Sequence, residues 1–479
     1  MNKALKKKYI VILILFLFPF VLYVPSLRFG LTYMDDNILV ANARADGLGK
    51  GLSEVFKKDV FSEKDESGKF YRPFLTLSFI ADGRVGGEDL FFYHLTNLLL
   101  HCFFCVLIFF FFRIFDIGAK ASFAGSLFFA AVPCLATAVA WLPGRNDSLL
   151  AIFVVSAVIT FVKWLRSGKG VWLFLFSVFL ISALFTKETS AALPPLLLYL
   201  MFSRGQAGRR DFLKFCAAVL IPCFIYLYLR AGADISGTSL SGLSYGSLFY
   251  LPALSVDWLF PFFNQKPAGT ALLTLAAFFI AFYLVKKSAP NRKRAVFGLL
   301  WFYIFLIPPL LGMGLYFSGS FFLSHRFYLP LAGMALALLS VPRPTYFGKN
   351  FMRAALALLF CFMCCESFLN CMFFRNEWVF SQYRIKEDDP CASENYADVA
   401  RFYMDRDLDG IAEKYFRTAL AENTVRLRNV HLHLAAIALK RGRLDEMYTE
   451  LQAELKDNPD NKYASDGLIR LEKAGYKHR

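Results

Sequence analysis

The feature that most constrains the fold of this 479-residue chain is the placement of its basic residues. Twenty-one lysines and arginines fall in alternate gaps between apolar stretches, where only Asp116 and Asp211 oppose them. These basic gaps are residues 1–8, 113–120, 163–169, 204–214, 286–294 and 343–353. Because cytoplasmic loops of membrane proteins collect Lys and Arg, the pattern predicts a polytopic membrane protein with a cytoplasmic N-terminus.

The composition favours the same class. The mean hydropathy is +0.46 and 57% of the residues are apolar, which lies outside the range of a soluble domain. The net charge of +16 then follows largely from topology, so we expect no nucleic-acid partner. Ten cysteines at these spacings give no pattern of a metal site. The chain is therefore expected to be all-α and embedded in a lipid bilayer.

Eleven apolar runs predict about eleven spans, and an odd number places the C-terminus outside. The runs are residues 9–27, 92–112, 120–141, 147–165, 171–186, 189–203, 212–230, 268–286, 294–315, 327–341 and 351–372. A further run at 246–263 is interrupted by Pro252, Asp257 and Pro261, and we interpret it as a re-entrant or interfacial element on the outer face.

The pattern changes after the last span. Residues 1–375 are predicted as the membrane domain with a large first outer loop at 30–91, followed by a linker at 376–390 and an outer helical domain at 391–479. The tail has small and aromatic residues at the spacing of a 34-residue tetratricopeptide repeat (TPR), namely Tyr396, Val399, Ala400, Tyr403, Ala412, Phe416 and Ala419. A weaker copy runs from 430 to 459, and 461–474 is predicted as a cap helix. The alternative is a plain helical hairpin; either offers a docking surface to a protein partner.

The first outer loop opens with two adjacent carboxylates, Asp35 and Asp36. Charges placed at the membrane surface are costly unless something uses them. They can serve as a general base, bind a divalent cation such as Mg or Mn, or cap the helix predicted at 38–43. The capping alternative needs only one of the two.

The other outer gaps supply cations. Arg72, Arg145, Lys187 and Arg326 are all predicted on the outer side, together with the two aspartates. His94, Asn97 and His101 are spaced i, i+3 and i+7, so they share one face of a helix. Each residue alone can be an interfacial anchor or a helix–helix contact. Together they can hold a lipid-linked phosphate while a carboxylate takes a hydroxyl proton.

The order of these motifs resembles the transmembrane and tetratricopeptide-repeat family, integral-membrane glycosyltransferases of the GT-C type related to protein O-mannosyltransferases. The residues that carry the resemblance are Asp35-Asp36, Tyr71-Arg72-Pro73, His94-x-x-Asn97-x-x-x-His101, Ala138-Val139-Ala140-Trp141, Gly144-Arg145, Lys187-Glu188 and Arg326-x-Tyr328-x-Pro330. The family commonly has His and Glu where this chain has Val132 and Thr137, which puts specificity in doubt.

The resemblance implies a reaction and a set of roles. A sugar would move from a polyprenyl-phosphate carrier to an acceptor hydroxyl, of a protein or a glycan, on the outer face. Asp35 would be the catalytic base and Asp36 would orient it, with a metal at this pair left open. The expected donor-phosphate ligands are Arg72, Lys187, Arg326 and Arg145. The expected acceptor or sugar ligands are His94, Asn97, Glu188, His325 and Tyr328.

Two other classes of protein compete with a transferase. A transporter is disfavoured because hydropathy shows no twofold repeat and the polar residues lie toward the outer face. A scaffold that only displays the repeats is separated from an enzyme by mutation of Asp35. Neither a Walker-type glycine loop nor a G-x-G-x-x-G motif is found, so no nucleotide cofactor is expected. The short repeat array favours a bacterial plasma membrane, with the endoplasmic reticulum as the alternative.

The charge pattern predicts the topology directly. In a cysteine-free background, a Pro290→Cys variant should resist an impermeant thiol reagent in intact cells, whereas a cysteine introduced in the region 391–479 should react. Labelling at position 290 in intact cells would contradict the predicted orientation.

Overall fold

The structure is a computed structural model in which every regular element among the described residues is helical. It describes residues 3–32, 34–47, 52–60, 70–203, 208–233, 283, 285–286, 291–313, 324–342, 348–385, 392–422, 427 and 429–476. The chain divides into two compact units, of which the first ends at Arg375 and the second takes in Asn376–Arg479. The all-α prediction is confirmed for the part of the chain described here.

The first unit contains the apolar helices. Its helices are α1 (Lys3–Tyr23), α2 (Asp36–Gly47), α3 (Leu52–Val55), α4 (Pro73–Gly86), α5 (Leu90–Ile114), α6 (Ala119–Ala130), α7 (Ala136–Ala140), α8 (Arg145–Ser167), α9 (Gly170–Thr186), α10 (Leu193–Ser203), α11 (Arg209–Ala231), α12 (Arg292–Met313), α13 (Tyr328–Ser340) and α14 (Lys349–Met372). Short 3₁₀ turns separate several of them, including Glu188–Ala192 and Ser324–Phe327.

Several helices are long enough to cross a bilayer. Five among the described residues meet the length and hydropathy required, Lys8–Arg28, Leu90–Ile114, Leu142–Ser167, Arg209–Ala231 and Lys349–Met372. Ala119–Ala130 with Pro133–Ala140 makes a sixth if this pair, bent by 58°, is one span. The chain is a multi-pass membrane protein. The count of eleven spans stays a prediction, and the run 246–263 lies outside the described residues.

Three of the other predicted spans are short in the structure. Helices α9, α10 and α13 have 17, 11 and 13 residues. At 1.5 Å per residue, the 11 residues of α10 extend only about 16 Å, against the ~30 Å of a hydrocarbon core. Such helices bring the residues at their ends below the surface of the bundle.

The basic gaps meet at one end of the first unit. Arg294 donates to the carbonyl of Phe115 at 2.7 Å, and Arg166 donates to the carbonyl of Ile114 at 2.7 Å. Lys293 Nζ lies 2.6 Å from the carbonyl oxygen of Ser203. Helix ends that the charge pattern assigned to one side of the membrane are therefore in contact.

The interior and the surface of the bundle differ as a bilayer requires. Helices α5, α8, α9, α12 and α13 contribute large buried side chains such as Phe111, Phe161 and Trp301 to one hydrophobic core. On α11, by contrast, Leu220, Phe224 and six others of its large apolar or aromatic side chains are exposed. Exposed apolar faces of this kind are stable in lipid and mark α11 as a peripheral helix of the bundle.

The second unit is a series of short helices in pairs. They are α15 (Glu377–Arg384), α16 (Ala392–Met404), α17 (Asp409–Glu422), α18 (Val430–Lys440), α19 (Leu444–Asp457) and α20 (Lys462–Lys473). The predicted repeat positions Val399, Ala400, Ala412, Phe416 and Ala419 are buried. The cap helix is present as α20. Assignment of these pairs to tetratricopeptide repeats remains a prediction.

The predicted linker at 376–390 is helical in its first half. Asn376 caps α15 by accepting from the amide of Val379 at 2.9 Å. Trp378 then packs its ring 5.0 Å from that of Phe402 and 5.2 Å from that of Tyr403. Packing of this half-buried ring against the next helix explains why the first half of the segment is helical and belongs to the second unit.

A close backbone approach fixes the bend before α8. A Cβ added at Gly144 would lie 2.7 Å from the carbonyl oxygen of Thr137 and 2.8 Å from the Cα of Ala138. Only glycine allows the turn after Trp141 to pack against α7 at this distance. The position of Trp141 and of the first turn of α8 depends on this contact.

Gly144→Ala should therefore lower the thermal unfolding midpoint of the detergent-purified protein, because the added methyl overpacks a rigid contact at a cost of about 1–3 kcal/mol. Gly170→Ala is the matched control, since a Cβ there meets nothing within 4 Å. Equal midpoints for the two variants would show that the turn yields without cost.

Candidate active site

Asp35 and Asp36 occupy different environments. Asp35 is exposed and has a φ of 69°, in the left-handed region, and its carbonyl accepts from the amide of Leu39 at 3.1 Å. Asp36 is buried, with Oδ2 accepting from the amide and the hydroxyl of Thr32 at 2.7 and 2.9 Å. Asp36 therefore fixes the turn that leads into α2, and the capping alternative stays a prediction. Asp35 presents its carboxylate at the surface from a backbone conformation that aspartate tolerates but seldom adopts.

Trp141 attaches this turn to the bundle. Its Nε1 donates to the carbonyl oxygen of Met34, the residue before Asp35, at 2.9 Å. The ring of Trp141 lies 5.1 Å from the imidazole of His325. The loop that carries Asp35 is thus positioned by an indole that also contacts a histidine from the turn before α13.

Asp147, Lys187 and His325 form a buried charged group. Lys187 Nζ donates to both carboxylate oxygens of Asp147 at 2.8 and 2.9 Å. His325 Nε2 lies 3.7 Å from Asp147 Oδ2. Burial lowers the pKa of His325 to about 3 despite the nearby carboxylate, so its imidazole is neutral at pH 7. The group joins α8, the end of α9 and the turn before α13.

Arg72, Glu188 and Arg230 form a second group beside the first. Arg72 Nε is 3.8 Å from Glu188 Oε2, and Arg230 Nη1 is 3.6 Å from Glu188 Oε1. Asn146 fits between Arg72 and the end of α9: oriented to satisfy both its amide atoms, it donates to the carbonyl of Thr186 at 2.9 Å and accepts from Arg72 Nη1 at 3.2 Å. Asn146 is buried, whereas Arg72, Glu188 and Arg230 are partly exposed and line the surface next to buried Lys187.

Positive charge exceeds negative charge here. Burial lowers the pKa of Lys187, Asp147 offsets part of that effect, and the charges of Arg72 and Arg326 lower it further. Both arginines therefore lie within electrostatic range of Lys187. Four cations, including Arg230, face the carboxylates of Asp147 and Glu188, an arrangement that attracts an anion.

Arg145, by contrast, is part of the scaffold. Its side chain is fully buried; Nε donates to Asn97 Oδ1 at 2.7 Å and Nη2 to the carbonyl of Tyr93 at 2.7 Å. It also forms an ion pair with Asp82. Asn97 in turn donates to the carbonyl of Trp141 at 3.0 Å. The expected ligand roles of Arg145 and Asn97 find no support in this geometry, because their polar atoms are engaged inside the protein.

His94 and Tyr328 also lie in the interior. His94 is buried against the ring of Phe29 at 6.1 Å. The hydroxyl of Tyr328 forms a 2.7 Å hydrogen bond with His101 Nδ1, and both side chains are buried. The hydroxyl of Tyr328 is thus engaged inside the protein, and the expectation that it faces an acceptor finds no support in these contacts. Thr137, where the resembled family has Glu, shares a 2.7 Å hydrogen bond with Ser324 beside His325.

Three participants were not predicted as site residues: Asp147, Asn146 and Arg230. Asp147 and Asn146 follow Arg145 directly, so the same motif contained the signal. Arg230 lies at the end of an apolar run, where a cation is ordinarily an interfacial anchor. Among the residues that the structure describes, no group of three or more His, Cys, Asp or Glu side chains is arranged to hold a metal ion.

Comparison with known proteins gives relatives of one kind. The sequence is 30% identical over 174 residues to Protein O-mannosyl-transferase Tmtc1 of Drosophila melanogaster, covering 36% of this chain and 20% of that protein. It is 28% identical over 267 residues to Protein O-mannosyl-transferase Tmtc2 of the same organism, covering 50% and 28%. It is 35% identical over 97 residues to human Protein O-mannosyl-transferase TMTC2, covering 20% and 12%.

The chain resembles the TMTC proteins in sequence. The family resemblance predicted from the motifs is thereby confirmed. The matched regions amount to no more than 28% of the length of any of these relatives, so the similarity covers only part of each TMTC protein. No family model matches the sequence.

The buried ion pair predicts a pattern of stability. Asp147→Asn should destabilise the protein by about 3–5 kcal/mol, because it leaves Lys187 buried beside a neutral partner. The double variant Asp147→Asn/Lys187→Met should be more stable than Asp147→Asn alone. Thermal unfolding midpoints in detergent measure both, with Asp116→Asn as the control, since it removes an exposed pair with Arg166 worth about 1 kcal/mol or less. A double variant that unfolds at a lower temperature than either single one would contradict the pairing.

Proposed function

We propose that this chain is an integral-membrane glycosyltransferase. It moves a sugar from a polyprenyl-phosphate carrier to an acceptor hydroxyl, that of a protein Ser or Thr, on the extracytoplasmic face of the membrane. The names of the TMTC relatives, protein O-mannosyl-transferases, support a sugar transfer to protein. The donor, the acceptor residue and the side of the membrane are parts of the proposal; the grouped cations support a phosphate donor, and the charge pattern supports the outer side.

One observation carries the proposal. Arg72, Lys187, Arg230 and Arg326 gather on the side of the bundle opposite the basic gaps, and the turn that carries the exposed Asp35 is linked to this group through Trp141 and His325. A glycosyl transfer from a lipid phosphate needs cations at the leaving group and a base at the acceptor. This end of the first unit has both.

In the proposed reaction, Asp35 acts on the acceptor and the cations act on the leaving phosphate. Asp35 takes the proton of the acceptor hydroxyl while the oxygen of that hydroxyl forms a bond to the sugar C1. The bond between C1 and the phosphate oxygen breaks, and its electron pair leaves with the polyprenyl phosphate. The guanidinium groups stabilise the negative charge that develops on that phosphate. The bond of the donor supplies the free energy, so no nucleotide is required.

Asp36, Arg145 and Asn97 support this chemistry indirectly. Asp36 fixes the turn that presents Asp35, and Arg145 with Asn97 holds the segment that contains Trp141. His325 and Glu188 remain the candidates for contact with the sugar or the acceptor, because they lie beside the cations. A divalent cation, if one is used, would bind at Asp35 with ligands from the donor phosphate.

The segregation of basic residues also supports a proposal for the compartment to which the site opens. With the basic gaps in the cytoplasm, the site opens to the periplasm of a bacterial cell, or to the lumen of the endoplasmic reticulum if the source is eukaryotic. The second unit then lies outside with the site, and its paired helices offer a surface for an extended segment of a protein partner.

Asp35→Asn tests the assigned base. The variant should lose transfer activity by at least a hundredfold, since general-base catalysis contributes about 10²–10⁴, while its thermal midpoint stays close to that of the unaltered protein. Asparagine tolerates the left-handed conformation, so the backbone is preserved. The assay measures transfer of labelled sugar from polyprenyl phosphate to a peptide.

Asp116→Asn is the matched control, because Asp116 is an exposed aspartate with a φ of 59° at the basic end of the bundle. It should retain full activity. Activity retained by Asp35→Asn would remove Asp35 as the base. Transfer to lipid or polysaccharide, with none to peptide, would replace the protein acceptor, and no transfer by the unaltered protein would favour a scaffold that displays the repeats.

A further inference from the structure

Glu188 lies between two arginines at ion-pair distance from each. Its carboxylate oxygens lie 3.8 Å from Arg72 Nε and 3.6 Å from Arg230 Nη1, both beyond the length of an N–H···O hydrogen bond. Arg72 Nε is buried and has no hydrogen-bond partner among the described residues. The pair of guanidinium groups is therefore kept close by charge, while a strong donor stays unused.

The surroundings fix this group in place. Arg230 Nη1 donates to the hydroxyl of Tyr226, one turn earlier on α11, at 2.8 Å. Tyr226 packs its ring 5.9 Å from both Tyr71 and Phe185. Arg72 lies over the ring of Phe70 at 4.5 Å. Both arginines are consequently positioned by side chains other than Glu188, and they need not move if that carboxylate is displaced.

The position of Arg230 at the end of α11 indicates a path by which a lipid-linked donor can reach the site. Arg230 is the penultimate residue of α11, and the preceding turns of that helix expose Phe224, Leu227 and Tyr228. An isoprenoid chain lying in the bilayer along this apolar face would bring its head group to Arg230 first. A soluble donor would have no contact with this face.

From these contacts we propose that Glu188 is a displaceable stand-in for the donor phosphate. Its carboxylate occupies the position between Arg72 and Arg230. A lipid-linked phosphate arriving along α11 takes that position, with more oxygens and more charge to satisfy both guanidinium groups. Arg230 is thus a further donor ligand, and Glu188 opposes binding. This inference rests on the proposed function.

This role differs from the expected one, in which Glu188 binds the acceptor or the sugar. The two roles predict opposite changes in donor affinity when the charge of Glu188 is removed. If Glu188 competes with the phosphate, removing its charge strengthens donor binding. If it binds sugar or only supports the fold, the same change weakens donor binding or leaves it unaltered. A further charged pair at the other end of the unit, Arg166 with Asp116, provides a control of the same chemistry.

The test measures binding of a fluorescent polyprenyl phosphate to the full chain in lipid nanodiscs, with the corresponding polyprenol and inorganic phosphate as competitors. Glu188→Gln should lower the Kd at least threefold, Arg230→Gln should raise it at least tenfold, and Arg230→Lys should fall between. Arg166→Gln should leave it unchanged. Thermal midpoints of all variants establish that they are folded.

The outcomes distinguish a failure of the proposed lipid-phosphate donor from a failure of the role assigned to Glu188. No specific binding by the unaltered chain would overturn the lipid-phosphate donor and this inference with it. Binding that Glu188→Gln weakens or leaves unchanged, or that Arg230→Gln leaves intact, would overturn the inference alone. Displacement by inorganic phosphate as effective as by unlabelled polyprenyl phosphate would show a site for a soluble anion and contradict entry along α11.

Discussion

The buried pair of Asp147 and Lys187 positions the rest of the candidate site. A lysine and an aspartate removed from water are stable only when each satisfies the other, so their bidentate contact locks the first turn of α8 to the end of α9. His325 approaches the same carboxylate from a third element. Arg72 and Glu188 are then placed around this junction by their neighbours in sequence and by Asn146.

A second buried network supports the pair from behind. Arg145, two residues before Asp147, is held by Asn97, Asp82 and the backbone of Tyr93. Because a buried guanidinium tolerates few unsatisfied donors, this network leaves α5 and α8 little freedom to slide past one another. The consecutive residues Arg145, Asn146 and Asp147 thus have distinct roles: scaffold, second contact to Arg72, and ion-pair partner.

Sequence patterns predicted the class of the fold, and they assigned the candidate site residues to one side of the membrane. Hydropathy and charge alternation depend only on local composition, so they predicted the helices and the grouping of the basic gaps that Arg294 and Arg166 now show by contact. The same patterns placed Asp35, Arg72, Lys187 and Arg326 on one side, and the structure puts the last three close together.

Burial was not predictable in the same way. Whether an arginine near a helix end is a ligand or a scaffold depends on which side chains surround it in three dimensions. Arg145 was assigned as a ligand and is saturated by partners 48 to 63 residues away in sequence, whereas Arg230 was overlooked and faces Glu188. The first half of the predicted linker folds for a similar reason, since Trp378 finds a partner in Phe402.

The central claim is that a lipid-linked phosphate binds at the end of the bundle that carries Asp35. Electron cryomicroscopy of the full chain in nanodiscs containing a polyprenyl phosphate tests it most directly. The account predicts phosphate density in contact with Arg72 and Arg230, within about 4–5 Å of their guanidinium carbons, as charge-assisted hydrogen bonds require. Phosphate density at Arg166 and Arg294, on the opposite end, would contradict it.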